Sequence, residues 1–254
     1  MVDAKERYLG LQNVLIYGVG IMPTFVFYSH SDYSDVWPIL FGQCKKYLFG
    51  YKKVLMTNKG EAPSDWVTVH YDESKPYQQR VLEGLSKLED DIIVFHHEDM
   101  ILYDKIDNSA IEGFVKRVQN SYKHRGTFIK LLRGGDAPYH RIDPNLIIGW
   151  GGHYTIQPTI CNRSNLMKIY SETPGESIWT FEVNALSMWN TQRFEGLMAY
   201  REDDKKRGQA HWDSKSYPYI ATAIVKGKWN ISEYPELSQL LSEYGIDPTI
   251  RGTR

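Results

Sequence analysis

A chain of 254 residues with 42% apolar content buries a substantial core, which excludes a disordered protein and fits one large domain. A formal net charge of -1 gives no electrostatic grip on nucleic acid or on anionic lipid. The two cysteines, Cys44 and Cys161, form neither a disulfide framework nor a zinc spacing. With a polar start over residues 1–10 and no apolar run of bilayer length, the expectation is a cytoplasmic chain (host cytoplasm, if viral) without a transmembrane segment.

Residues 23–29 read as a first strand. A polar loop follows, with Ser34 or Asp35 as helix cap, and then a helix over 36–49 with Val36, Ile39, Leu40, Tyr47 and Leu48 at helical spacing. Strands are expected over 51–57, closed by the turn Asn58-Lys59-Gly60, and over 66–70. Residues 77–88 form an amphipathic helix with Val81, Leu82, Leu85 and Leu88 on one face. Residues 92–95 are a buried strand that runs straight into His96-His97-Glu98-Asp99. Asn108 is placed to cap a helix over 109–122, and 127–132 is a strand. Beyond it the expectation is a Gly- and Pro-rich loop over 133–152, a strand over 153–160 and helices over 163–171 and 178–190. A flexible polar stretch over 192–217, a strand over 219–225 and a helix over 237–244 complete the chain. Strands alternating with helices predict an α/β fold, a mainly parallel central sheet flanked by helices, in a single domain.

In such sheets ligands bind beyond the carboxyl ends of the strands, where His96, His97, Glu98 and Asp99 fall. Glu98 and Asp99 offer the oxygen ligands that Mg²⁺ or Mn²⁺ prefers beside phosphates, with a solvated turn as the plainer alternative. No further His or Cys spacing supports zinc at the histidine pair. The loop after the first strand opens a helix and presents free N–H groups, with Tyr28, Ser29 and Asp32 as nucleoside contacts. It carries neither GxGxxG nor a Walker A sequence. Glu182, a lone acid beside Trp179 and Phe181, suits a general base with a raised pKa, or else a helix face packed by aromatics. The run Gly149-Trp150-Gly151-Gly152-His153 lets backbone approach a ligand, and Trp150 offers a platform for a sugar face. His211 is a candidate metal ligand or phosphate contact, and Arg133, Lys226 and Lys228 candidate phosphate contacts; solvated surface groups are the alternative for each.

In this order the motifs resemble GT-A-type glycosyltransferases, especially the small glycosyltransferase-like proteins of bacterial and large-virus polysaccharide pathways. The pieces are Tyr28-Ser29-His30-Ser31-Asp32, Phe95-His96-His97-Glu98-Asp99, Tyr154-Thr155-Ile156-Gln157-Pro158-Thr159-Ile160 with Asn162-Arg163, Trp179-Thr180-Phe181-Glu182, and Val225-Lys226-Gly227-Lys228-Trp229. The resemblance implies a GT-A-like (Rossmann-like) domain, with a nucleotide-sugar half over about residues 24–132 and an acceptor half over about 133–230. It implies a nucleoside-diphosphate sugar donor, a glycan acceptor and Mn²⁺ or Mg²⁺. His97-Glu98-Asp99 stands where the family has a DXD-like motif, with His at the first position, so metal contact falls to Asp99 helped by Glu98. Tyr28, Ser29, Asp32, His97, Glu98, Arg133 and Lys228 would serve the donor, and Trp150, His153 and Trp179 the sugar pocket. His211 would be a late metal ligand, and Glu182 the acceptor base of an inverting member. Two alternatives stay open. One is a nucleotidyltransferase, although no Gly/Lys/Arg-rich triphosphate loop lies near the first strand. The other is a non-catalytic sugar-binding module of the same fold.

Overall fold

A computed structural model describes residues 22–120, 126–149, 152–189, 194–207 and 211–254. The first half is built on β1 (Thr24–Tyr28), β2 (Lys53–Thr57), β3 (Val67–His70) and β4 (Ile92–His97). β1, β2 and β4 are buried along their whole length, and the four strands pair in parallel. Unbroken apolar runs of this kind belong to parallel strands covered on both faces. The covers are α1 (Trp37–Tyr47), α2 (Tyr77–Ser86) and α3 (Asn108–Gln119), and a short strand β5 (Ile101–Leu102) leaves β4.

The second half supplies β6 (Gly126–Lys130), β7 (Tyr139–Asp143), β8 (Leu146–Gly149), β9 (Thr159–Asn162) and β10 (Phe194–Ala199). It also carries α4 (Arg163–Glu172) and α5 (Ile178–Trp189). Short pairs follow: β11 (Lys206–Arg207) with β12 (His211–Trp212), β13 (Tyr219–Ile220) with β5, and β14 (Ile224–Val225) with β15 (Lys228–Trp229). The helices α6 (Glu236–Glu243) and α7 (Pro248–Arg251) end the described chain. One nine-stranded sheet runs in the order β3-β2-β1-β4-β9-β6-β10-β8-β7. Only β9 and β8 run against the other strands, so the expected mainly parallel α/β sheet is present in mixed form. α2 packs on α4, and α3 covers β6 and β9. Among the described residues no helix is long and apolar enough to cross a membrane.

Four expected elements differ. The loop expected over 133–152 contains the β7–β8 hairpin, turned at Pro144 with Asn145 N–H donating to the Asp143 carboxylate at 2.8 Å. The strand expected over 153–160 is confined to Thr159–Asn162, because Gln157 N–H turns back to Thr155 C=O at 2.9 Å. The strand expected over 219–225 is split into β13 and β14, with Ala223 N–H leaving the ladder to donate to Asp99 C=O at 3.0 Å. The stretch expected to be flexible over 192–217 holds β10, an interior strand between β6 and β8. Its short apolar run is hidden in sequence by Glu195, which pairs with Arg117 at 3.1 Å, and by Gly196. In addition, Asp107 rather than Asn108 caps α3, accepting from Ala110 N–H at 3.1 Å. Neither Ser34 nor Asp35 caps α1: Asp35 is taken by Arg251 instead.

Gly196 is required by a close backbone approach. A Cβ there would lie 1.7 Å from Gly152 O. Gly196→Ala is expected to cost about 2–3 kcal/mol, a fall in melting temperature of roughly 5–10 °C by calorimetry. An unshifted transition would mean that Gly152 gives way freely.

Candidate active site

An open cleft of about 1460 Å³ lies beyond the carboxyl ends of β1 and β4 and reaches across to α5 and β12. Tyr28, His97, Glu98, Asp99, His153, Trp179, Glu182 and His211 line it together, although they come from distant parts of the chain. Ser29, Asp32, Arg133 and Lys228 do not line it, and Trp150 lies outside the described residues.

The donor end is built on the last residues of β1 and β4, which pair Tyr28 with His97. Glu98 N–H makes the last rung to β1, donating to Tyr28 C=O at 3.1 Å; the chain then turns, with Met100 N–H donating to His97 C=O at 3.3 Å, and Glu98 and Asp99 line the cleft. Burial, then the neighbouring Asp99, push the Glu98 carboxyl well above its usual pKa. Burial also lifts Asp99 to about 6, although its carboxylate accepts a backbone hydrogen bond from Ile224 and feels Arg251. Two desolvated acids side by side, whose pKa values stay raised despite Arg251, form a site that gains from a cation.

His97 lines the cleft, whereas His96 does not and packs against Phe27 and Tyr217. Burial pushes both His96 and His97 down to about 3, so both are neutral. His97 Nε2 meets Tyr77 Oη at 2.9 Å, and Tyr77 Oη meets Tyr170 Oη at 3.0 Å. Tyr28 stacks on Tyr71 at 5.1 Å, edge-on to Tyr77. Ser29 is fully buried: its Oγ accepts from Trp37 Nε1 at 2.8 Å, and its carbonyl accepts from Tyr71 Oη at 2.7 Å. Asp32 sits on the exposed loop, its carbonyl accepting from Arg251 at 3.2 Å.

Positive charge enters the cleft from Arg80, Lys130, Lys226 and Arg254, of which the sequence alone points only to Lys226. Lys226 (φ 50°) and Gly227 (φ 78°) form the two-residue turn between β14 and β15, the left-handed geometry that tight hairpins need. That turn presents Lys226 to the cleft and leaves Lys228 outside its lining.

Arg133 is buried, with its guanidinium 4.6 Å, 4.8 Å and 4.5 Å from the ring centres of Tyr139, Tyr200 and Trp212. It ties the β7–β8 hairpin to β10 and β12. Arg133→Ala is expected to lower stability by about 2 kcal/mol, roughly 5 °C. Lysine should not restore it, because only the planar guanidinium fills a three-ring site. Thermal denaturation of the two variants checks this, and full stability of the alanine variant would contradict it.

At the far end, Glu182 Oε1 accepts from Ile156 N–H at 2.7 Å, and burial raises the Glu182 pKa against that bond and against Lys130. Lys130, at the end of β6, is 2% exposed, and burial lowers its pKa to about 8. His211 Nε2 lies 3.3 Å from Gln157 Nε2, and burial lowers its pKa. Trp179 is 75% exposed at the cleft edge. Lys130, Thr155 and Gln157 do not stand out from sequence as site residues. The available signal for Lys130 is a lone cation inside the apolar strand Thr127-Phe128-Ile129-Lys130-Leu131.

The residues at the donor end fit a divalent cation of the hard kind. Among the described residues no group of three or more His, Cys, Asp or Glu side chains is placed to hold a metal. Glu98 and Asp99 supply two oxygen donors, which matches Mg²⁺ or Mn²⁺ ions that complete their shell with substrate phosphate and water.

Neither a protein-family model nor a curated protein matches this chain. Solved structures similar to it include a nucleotidyl transferase from Methanothermobacter thermautotroptrophicus, with 13% identity and a TM-score of 0.44 over 72% of this chain and 89% of that one. An apo UDP-glucose pyrophosphorylase matches with 8% identity and a TM-score of 0.49, over 89% of this chain and 100% of that one. A UTP-bound UGPase from Acinetobacter baumannii matches with 9% identity and a TM-score of 0.49, over 89% and 94%. Likeness at this level says nothing of chemistry.

Proposed function

We propose that this chain is a glycosyltransferase that moves a sugar from a nucleoside-diphosphate sugar to a hydroxyl of a glycan acceptor. The observation that carries the reading is that one cleft joins a desolvated acid pair, buried Glu98 and half-buried Asp99, to a third, proton-seeking carboxylate, Glu182. The first is suited to a metal–diphosphate group and the second to deprotonating an attacking hydroxyl.

The donor's diphosphate lies at Glu98 and Asp99, with Arg80, Lys226 and Arg254 contributing positive charge around it. Asp99, helped by Glu98, would hold Mn²⁺ or Mg²⁺, which would supply charge neutralisation for a departing nucleoside diphosphate. The acceptor hydroxyl lies at Glu182, which takes its proton as the oxygen attacks the sugar carbon, and Trp179 borders the sugar. His153 shares this pocket.

Nucleotidyl transfer is the competing reaction. It calls for a triphosphate cradle after β1, and residues 29–41 contain no Gly, Lys or Arg. A panel of nucleotide sugars with Mn²⁺, assayed for nucleoside-diphosphate release, tests the proposal. Release from one donor supports glycosyl transfer. Pyrophosphate release from a nucleoside triphosphate and a sugar phosphate would replace it with nucleotidyl transfer. Metal-independent glycan binding with no released nucleotide would mark a non-catalytic module.

A further inference from the structure

We infer that Arg251 is a positioning residue for the donor: its guanidinium fastens the loop after β1 to the β14–β15 hairpin, and so fixes Tyr33, Lys226 and Arg254 around the donor end of the cleft. The inference rests on the reading of that end as the nucleotide-sugar site.

Arg251 ends α7 and lies 216 residues from Asp35 in sequence. Its Nε and Nη2 donate to the two carboxylate oxygens of Asp35, and Nη2 also donates to Asp32 C=O at 3.2 Å. The centre of the guanidinium lies 4.9 Å from the ring centre of Tyr33 and 5.9 Å from that of Trp229. One cation thus holds the loop by a carboxylate, a carbonyl and a ring, and holds β15 by a second ring. A lone surface ion pair fixes little. This side chain is only 15% exposed, and a two-pronged pair between two rings fixes its partners in several directions at once.

Both partners continue into the cleft. Trp229 N–H donates to Gly252 C=O at 3.1 Å, and Arg254 N–H donates to Trp229 C=O at 2.8 Å. Gly252 (φ 77°) turns the chain out of α7 and onto β15. The hairpin is rooted at the acid pair, because Asn230 N–H donates to Ala223 C=O at 2.8 Å and Ala223 N–H to Asp99 C=O at 3.0 Å. Contacts therefore run without a break from Asp99, through the hairpin and Arg251, to the loop after β1. Tyr33, Lys226 and Arg254, one from each of the joined segments, line the cleft, whereas Arg251 and Asp35 do not. Arg251 acts on a ligand only through the groups it holds. Without it the ligand itself must order those three groups, and binding weakens by that cost.

The test uses the full chain. Calorimetry with Mn²⁺ measures the Kd of UDP, GDP, ADP, CDP and inorganic pyrophosphate. For the tightest wild-type binder, Asp35→Ala and Arg251→Ala should each raise Kd by about tenfold or more, and the double variant should be little worse than either. Arg251→Lys keeps the charge but not the fork, and should recover only part of the loss. In turnover the defect should fall on donor KM rather than on kcat. Hydrogen exchange on the unliganded proteins reads the fastening directly. The amides of Tyr33, Ser34 and Val36 and those of Trp229, Asn230 and Arg254 should lose protection together, while β4 keeps its own. Asp35→Asn serves if an alanine variant does not fold. Loss of protection on one side alone overturns the fastening. Joint loss of protection with an unchanged Kd makes Arg251 a brace of the fold and overturns its role toward the donor. A wild-type protein that binds none of the five probes removes the donor reading of this end, and Arg251's role there with it, whichever way the exchange comes out.

Discussion

Asp99→Asn is expected to reduce metal-dependent turnover of the donor by about 10²–10³-fold or more while leaving the protein folded. That magnitude reflects the several kcal/mol of charge stabilisation that a bound cation contributes to a departing diphosphate. The variant keeps the size of the side chain and a carbonyl oxygen for the backbone bond from Ile224, but it removes the charge that would hold Mn²⁺. Stability should move the other way. Asp99 has a folded-state pKa of about 6 against an ordinary 3.8, so this group's own contribution to stability is fully present below the ordinary value and is lost as pH rises through about 6. The neutral amide carries no such penalty. The variant should therefore melt higher than wild type at pH 7.5, with the difference shrinking as pH falls toward 4. Adding Mn²⁺ should raise the melting temperature of wild type and leave the variant unmoved. Unchanged activity in Asp99→Asn, or equal stabilisation of both proteins by Mn²⁺, would falsify the assignment of the metal to this corner.

Glu182→Gln is expected to lower kcat by about 10²–10⁴-fold with little change in donor KM. Glutamine keeps the acceptor for Ile156 N–H, so α5 and the turn before β9 should stay in place. Wild-type activity should fall on the acid side at a pH above the ordinary carboxylate range, because burial raises the Glu182 pKa and only the ionised form takes a proton. The glutamine variant should have no such limb. Retention of configuration in the product would assign Glu182 another task. The sign of that would be a raised acceptor KM at nearly unchanged kcat.

The donor end is legible in sequence because its physics is local. An apolar run from Ile92 to Phe95 that stops at four polar residues must be a strand delivering its end to solvent or to a ligand, and Glu98 and Asp99 do line the cleft. Glu182 stands out for a similar reason, as an acid inside the apolar run Ile178–Trp189. The rest depends on contacts between distant segments. Ser29 satisfies the same polar pattern as a ligand-binding serine, yet Trp37 and Tyr71 consume both of its oxygens. Arg133 reads as a phosphate cation until three rings, from β7, from Tyr200 just after β10 and from β12, are placed around it. β10 escapes a sequence reading because its burial comes from neighbours on both sides of the sheet rather than from its own periodicity. Lys130 can be seen as out of place, but its neighbour Thr155 cannot be found without the fold.

The strand order carries a consequence for how the chain reaches its native state. Ile92 pairs with Asn162 and Gly126 with Phe194, so the middle of the sheet is assembled from segments made far apart in time during synthesis. Such non-local pairing slows folding, because loop closure must precede the contacts that reward it. Until Phe194–Ala199 is available, β6 presents an open edge of buried-type residues, Phe128 and Ile129 among them. A nascent or truncated chain ending before that strand should aggregate through this edge, and chaperone dependence during expression is the expected symptom.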